Sequence, residues 1–206
     1  MPLREAAMER MNEYRDIIVT EYIGREGAER LAAMEEDRLS RFFPSGFFSG
    51  SESGAFLREP DLRRPSEKFE VIHETVSSYD RNAYVHPVGC GGIFTVLWDM
   101  AETLKCGMEV TIRDIPVKQE TIELCEFLRV NPYYLMSGEE VVLIVSVNGS
   151  CLLRRLMENR IHAAAVGFIT GGADKILHQG DSIRYLDRPA EDEFLRYKRR
   201  RTLCEK

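Results

Sequence analysis

The chain has 206 residues, 44% hydrophobic and 30% charged, with a net charge of −6. That mix suits a soluble globular protein of one domain, or one domain with an N-terminal appendage. The acidic balance argues against a nucleic-acid partner, and no stretch approaches the roughly 18 apolar residues of a membrane span. The pattern along the chain predicts the elements that follow. Residues 2–15 read as a short helix with mixed faces, and Asp16–Thr20 is a β-branched, apolar strand. Gly24 and Gly27 follow, and a helical pattern returns over 27–41. Residues 42–65 form a long connection, broken by Gly, Ser and Pro; the four phenylalanines of its 42–48 stretch call for packing on the body or on another subunit. Phe69, Ile72, Val76 and Tyr79 lie on one helix stripe after Pro65. Ala83–Val88 reads as a strand, and Ile93, Val96, Leu97, Met100 and Leu104 as an amphipathic helix ended by Gly107. Met108–Ile112 alternates as a strand, and Lys118–Leu128 is a helix with Ile122, Cys125 and Leu128 inward. Glu140–Val147 is a core strand. Ser150 is placed to cap the helix through Asn159. Ala163–Thr170 and Ser182–Leu186 are strands on either side of a Gly171-Gly172 turn, and residues 190–201 form a terminal helix. About six strands among helices, not in strict βαβ repetition, predict an α+β fold: a mixed sheet with helices packed on its faces.

Cysteine usage and the N-terminus point to a compartment. Cys90, Cys106, Cys125, Cys151 and Cys204 show no CxxC spacing, so they read as reduced thiols of a cytoplasmic protein. The charged N-terminus is no signal peptide. His73, His162 and His178 share no ligand spacing, so no metal site is expected. The basic run from Arg196 to Arg201 sits among acidic residues and reads as a solvated helix end or tail.

One segment carries chemistry. Gly89-Cys90-Gly91-Gly92 leads directly into a helix, whose first N–H groups are unpaired and sit at the positive end of the dipole. Two readings stand: an anion cradle, or a tight strand-to-helix turn that needs positive φ. His86 precedes the glycines and either contacts a ligand or is satisfied by a backbone hydrogen bond. Asp99 and Glu102 lie on the helix's polar face as solvated charges. Tyr133 and Tyr134 line a pocket or pack.

The order of motifs then suggests a family. His86-Pro87-Val88-Gly89-Cys90-Gly91-Gly92, an amphipathic helix, Ile115-Pro116-Val117, Asn131-Pro132-Tyr133 and Ser137-Gly138 together resemble the C-terminal domain of the aminoimidazole ribonucleotide synthetase superfamily. The branch of hydrogenase maturation factors, which dehydrate a carbamoyl group with ATP, is the most similar. Gly24, Gly27, the strand around Gly167, Arg184, Arg188-Pro189 and Asp192-Glu193 extend the likeness over residues 16–194. The family motif His-Asp-x-Thr-x-Gly-Gly lies near substrate and nucleotide phosphates. His86, Gly91 and Gly92 match it, whereas Pro87 and Gly89 replace its Asp and Thr. A carboxylate and a hydroxyl are lost with them, and proline also deletes a backbone donor. The resemblance thus implies phosphate- or ligand-binding candidates His86, Gly89, Gly91, Gly92, Asn131, Ser137 and Gly138, and leaves the catalytic residues unknown.

The resemblance also divides the chain. It gives an N-terminal extension at 1–15, the synthetase-like domain at 16–194 and a basic tail at 195–206. The family's N-terminal domain holds the dimer barrel, the Mg-binding aspartates and most of the ATP site, and only 15 residues precede the matched region here. Cys204 lies near the end but lacks the Pro-Arg-Ile context of the family's terminal carbamoyl-carrying cysteine. The expectation is an accessory or binding module with no cofactor of its own, self-associating as a dimer. The alternative is one half of a split ATP-dependent synthetase or carbamoyl dehydratase, with ATP and Mg arriving with a separate ATP-binding chain. A third, weaker reading is a stand-alone enzyme that uses the glycine turn and His86 on a phosphorylated substrate.

Overall fold

The computed structural model describes residues 15–44, 47 and 63–204. The helix expected over 2–15, most of the 42–65 connection and the side chain of Cys204 lie outside the described residues. Within them the order is β1 (Arg15–Thr20), α1 (Arg25–Met34), α2 (Glu36–Leu39), α3 (Pro65–Tyr79), β2 (Tyr84–Pro87), α4 (Gly92–Leu104), β3 (Gly107–Thr111), α5 (Gln119–Leu128), β4 (Val142–Val147), α6 (Gly149–Glu158), β5 (Ala163–Thr170), β6 (Lys175–Gln179), β7 (Ser182–Tyr185) and α7 (Glu193–Cys204). Two 3-10 turns, Ile112–Asp114 and Pro132–Tyr134, complete it.

The seven strands form one sheet in the order β2-β4-β1-β5-β3-β6-β7. Every neighbouring pair is antiparallel except β3 and β6. The fold is therefore α+β with a mixed sheet, as the element pattern predicts, and carries one strand more. That strand, β6, has the sequence Lys-Ile-Leu-His-Gln and offers only a short apolar core to a pattern search.

The period-two rule assigns the faces. Ile17, Val19, Leu143 and Val145 pack against Ile93, Phe94, Leu97 and Met100 of α4. Ile18, Val142 and Ile144 point the other way, onto Ile72 and Val76 of α3 and Leu152 and Leu156 of α6. A third cluster binds α1 to α5 and α7 through Leu31, Leu124, Cys125, Leu128, Leu135 and Tyr197. Each fully buried Ile or Leu contributes roughly 1.5–3 kcal/mol, so the central strands carry most of the stability. Phe42 and Phe43 pack on Phe127 of α5, with ring centroids 5.2 and 5.5 Å away. These first two phenylalanines of the connection thus pack on the body.

Three local expectations are corrected. Lys105, in the left-handed region, ends α4; Gly107 instead opens β3, where a side chain would meet Thr170 and the Asp174 backbone. Asn148, at φ 50, precedes α6, whose Gly149 N–H donates to Asp16 Oδ2 (2.7 Å), so Ser150 sits inside the helix. Thr121 and Leu124, rather than Ile122, fill the inner stripe of α5 with Cys125 and Leu128.

Candidate functional site

β1 and β2 run in the same direction, and both finish beside the start of β4. Past that edge the chain passes through Gly89, Gly91 and Gly92, at φ 53, 89 and 70, and enters α4. These left-handed angles are open to glycine at no steric cost. Gly92 has a second reason to lack a side chain. A Cβ there would fall 2.5 Å from the Tyr133 carbonyl oxygen and 2.7 Å from Tyr134 carbonyl carbon. The first turn of α4 rests directly on the backbone of the Pro132–Tyr134 turn. Phe94 then stacks on Tyr133 (4.8 Å) and meets Tyr134 edge-on (5.4 Å).

The 131–138 segment is held from both sides. Asn131 Oδ1 accepts from the Tyr133 N–H at 3.0 Å and caps the turn. Ser137 is buried; its Oγ accepts from the Gly24 N–H at 2.9 Å, and its own N–H donates to the Gly89 carbonyl at 3.0 Å. Gly27 N–H donates to the Met136 carbonyl, and a Cβ on Gly27 would come within 2.5 Å of Leu135. Gly138 is shaped by the Glu140 carboxylate, which a side chain there would strike. Gly24, Gly27, Gly89, Gly92, Asn131 and Ser137 therefore form one junction between the starts of α1 and α4. His86 stands apart: it is exposed on β2, its ring parallel to Tyr84 at 6.1 Å and its Nδ1 2.7 Å from the Pro87 carbonyl.

A residue overlooked among the sequence candidates sits at the head of α4. Asp192, 3% exposed, accepts from the Gly91 N–H through Oδ2 at 2.7 Å. Its Oδ1 accepts from the Phe194 N–H at 2.8 Å, capping α7. One carboxylate thus serves the N-termini of two helices, the placement their dipoles favour. The Asp-Glu pair just before a helical stretch is an N-cap signature that was available in the sequence. The partner 101 residues away was not.

The electrostatics follow this arrangement. Desolvation, then the Asp192 carboxylate, holds the Cys90 thiol above its usual range. Burial pushes Glu193 up, with Arg196 and Arg200 opposing, and its Oε2 has no hydrogen-bond partner among the described residues. Burial also raises Tyr133 and Tyr134. The basic run on α7 is largely neutralised: Arg196 pairs with Glu193 (3.0 Å), Arg199 with Glu191 (2.5 Å) and Arg201 with Glu35 (2.8 Å).

Chemically, the Asn131 and Ser137 oxygens are committed to the backbone, and no base is paired with a nucleophile in this junction. Among the described residues no group of three or more His, Cys, Asp and Glu is placed to hold a metal. The Gly91 N–H that would meet a phosphate already holds Asp192, so the residues as arranged do not fit a nucleotide phosphate. No described helix is long and apolar enough to cross a membrane.

No protein-family model and no curated protein matches the chain. Solved structures do. The chain is similar to the hydrogenase maturation protein HypE of E. coli, at 18% identity and a TM-score of 0.66, covering 90% of this chain and 53% of that one. It is similar to a chain of a HypE–HypF complex at 18% identity and a TM-score of 0.65, covering 86% and 54%. A thiamine-monophosphate kinase of Stenotrophomonas maltophilia K279a matches at 16% identity and a TM-score of 0.52, covering 80% and 49%. At these identities the likeness establishes the fold: an α+β architecture of the synthetase-like type, as the motif order implies. The chain spans about half the length of the structures it matches.

Proposed function

We propose that this chain is a binding module with the fold of a synthetase C-terminal domain, and that the head of α4 takes a small phosphate-bearing ligand without complete catalysis of its own. The observation that supports this reading is the buried carboxylate on the Gly91 N–H. A glycine-led helix start that holds a carboxylate has a field that suits an anion, and a phosphate oxygen would take that carboxylate's place on the N–H. The altered motif argues against catalysis by the module alone: Pro87 and Gly89 stand where the family places a carboxylate and a hydroxyl, and His86 is exposed on the sheet edge. Self-association as a dimer and a cytoplasmic setting belong to the same reading.

A second reading is one half of a two-part ATP-dependent enzyme, with ATP and Mg held mainly by another chain or segment. It is favoured by the coverage of about half of each matched structure and by a neighbour solved as a HypE–HypF complex. Calorimetric titration with inorganic phosphate and with MgATP, first of the chain alone and then mixed with a candidate ATP-binding chain, separates them. Saturable binding by the chain alone supports the module. Binding of MgATP only in the mixture supports the two-part enzyme. Heat in neither titration overturns both. Sedimentation velocity tests the dimer.

A further inference from the structure

α3 and α6 lie on the sheet face opposite α4, where Ile72, Val76, Leu152 and Leu156 pack onto the strands. Beside that packing the surface sinks into a cleft of about 380 Å3, lined by Thr75, Ser78, Arg154, Arg155, Glu158 and Asn159. The volume is that of a small-molecule site, but the lining is mostly polar, which suits a charged ligand rather than an apolar one. The cleft is ordered by its own contacts. Buried Thr75 donates from Oγ1 to the Val71 carbonyl (2.7 Å) and accepts from Asn159 Nδ2 (3.3 Å), which also donates to the Arg155 carbonyl (3.0 Å). The Arg155 guanidinium lies 5.1 Å from the centroid of the Tyr79 ring, and that ring is fixed by its hydroxyl, which donates to the Asn148 carbonyl (3.2 Å). A guanidinium held on a ring keeps its fork of N–H groups directed, so it loses less freedom on meeting an oxyanion.

Charge gives the cleft its sign. The chain carries −6 overall, and Arg196, Arg199 and Arg201 of α7 are each paired with a carboxylate. Arg154 and Arg155 are exposed and make no ion pair with any described residue, and Glu158, one turn beyond Arg154, is no exception. The carbonyls at the end of α6 would repel an anion. Arg63 meets them: its Nη2 donates to the carbonyls of Asn159 (2.7 Å) and Arg160 (3.4 Å). Two guanidiniums in the cleft, with a third on the adjoining helix end, outweigh the one carboxylate.

We propose that the α3–α6 cleft is a separate ligand site, which takes a small molecule carrying a doubly charged oxyanion, either a phosphate monoester or a dicarboxylate. Arg154 and Arg155 supply the donors to the oxyanion. Thr75 and Asn159, committed to each other, hold the wall between the two helices. Ser78 Oγ already donates to the Thr75 carbonyl (2.9 Å), so it serves a ligand hydroxyl as an acceptor. Glu158 disfavours further negative charge on the rest of the molecule. The site is on the other sheet face from the head of α4 and stands independently of the reading given for that turn.

The test titrates the full chain with inorganic phosphate and, separately, with succinate at neutral pH, following the arginine Nε–H signals by NMR. Arg154→Ala and Arg155→Ala assign two of those signals. Both positions are exposed on a helix, where alanine is well tolerated, so the variants fold. Arg113→Ala, at an exposed arginine away from the cleft, controls for general ion binding. The expected result is saturable movement of the Arg154 and Arg155 signals, with affinity about tenfold or more weaker in either cleft variant and unchanged in Arg113→Ala. Glu158→Gln should bind more tightly than the parent chain. Whichever probe saturates at the lower concentration then assigns the oxyanion to the phosphate or the dicarboxylate class. Binding that is equal in the parent and both cleft variants sinks the cleft and leaves the head of α4 as the place to look. Equal weakening in all three arginine variants shows a diffuse ion atmosphere and overturns it. Signals of Arg154 and Arg155 that do not move with either probe overturn it as well.

Discussion

Two glycines in one turn separate conformational from packing demands at the scale of single residues. Gly89 and Gly92 both have positive φ, 53 and 70. Around a Cβ built on Gly89 nothing lies within 4 Å, whereas at Gly92 the backbone of Tyr133 lies 2.5 Å away. Alanine at 89 therefore costs only the left-handed strain of about 1–2 kcal/mol. Alanine at 92 adds a backbone collision and should cost at least about 2 kcal/mol more, or displace α4 from the Pro132–Tyr134 turn. Urea denaturation of the two variants checks this, and equal midpoints would contradict the packing role of Gly92. Glu193 supplies the pH signature. Burial raises its carboxyl above the ordinary 4.5, so in that window the folded chain holds a proton that the unfolded chain has lost. The extra proton is on the native state, so stability falls as pH rises from about 4.5 through the raised value. Glu193→Gln should flatten that slope in a pH series of thermal melts.

Elements are joined to one another by polar residues inside the fold. Lys68, on the first turns of α3, reaches Glu21 just past β1 at 3.3 Å, with both side chains almost wholly buried. Glu21 has φ 52, which turns the chain out of the strand. Lys68→Met removes the buried cation beside Glu21 and should cost about 3–5 kcal/mol. Lys68→Met combined with Glu21→Gln should recover much of that loss, because the buried carboxylate goes with its cation. A double-mutant cycle by chemical denaturation reads the difference, and additive single effects would show that the pair does not couple α3 to β1. The elements themselves were largely legible in the sequence, because the continuous apolar run at the heart of Val142–Val147 and the helical stripe of α4 announce their own burial. The failures were local competitions between equivalent solutions. Lys105 and Asn148 adopt left-handed backbone themselves, so Gly107 and Ser150 were not needed as a stop and a cap. β6 was hidden because its parallel partner β3 lies some 65 residues earlier, and only Leu177 is fully buried.

For the whole molecule the candidate site was legible as a set of residues but not as a geometry. Gly24, Gly91, Gly92, Asn131 and Ser137 were visible as motifs, yet their meeting is backbone packing between distant segments, and the carboxylate on the Gly91 N–H comes from the far end of the chain. That architecture makes cooperativity measurable with thiols. Cys125 is 1% exposed on α5, within the cluster that joins α1, α5 and α7, and burial pushes its thiol up to about 12. Cys90 is exposed at the head of α4. Alkylation under native conditions should modify Cys90 promptly. Cys125 should stay protected until its cluster opens, because both its access and its thiolate fraction are suppressed. If α7 docks as part of one cooperative unit, Cys125 becomes reactive only at the global transition. If α7 detaches on its own, Cys125 labels at lower denaturant than the sheet unfolds, and Asp192→Ala, which removes the carboxylate capping α7, brings that labelling forward further. Mass spectrometry of pulse-labelled protein across a urea series, read against the circular dichroism transition, separates the two. Coincident curves in the parent chain and the variant alike would show that α7 leaves only when the whole domain does.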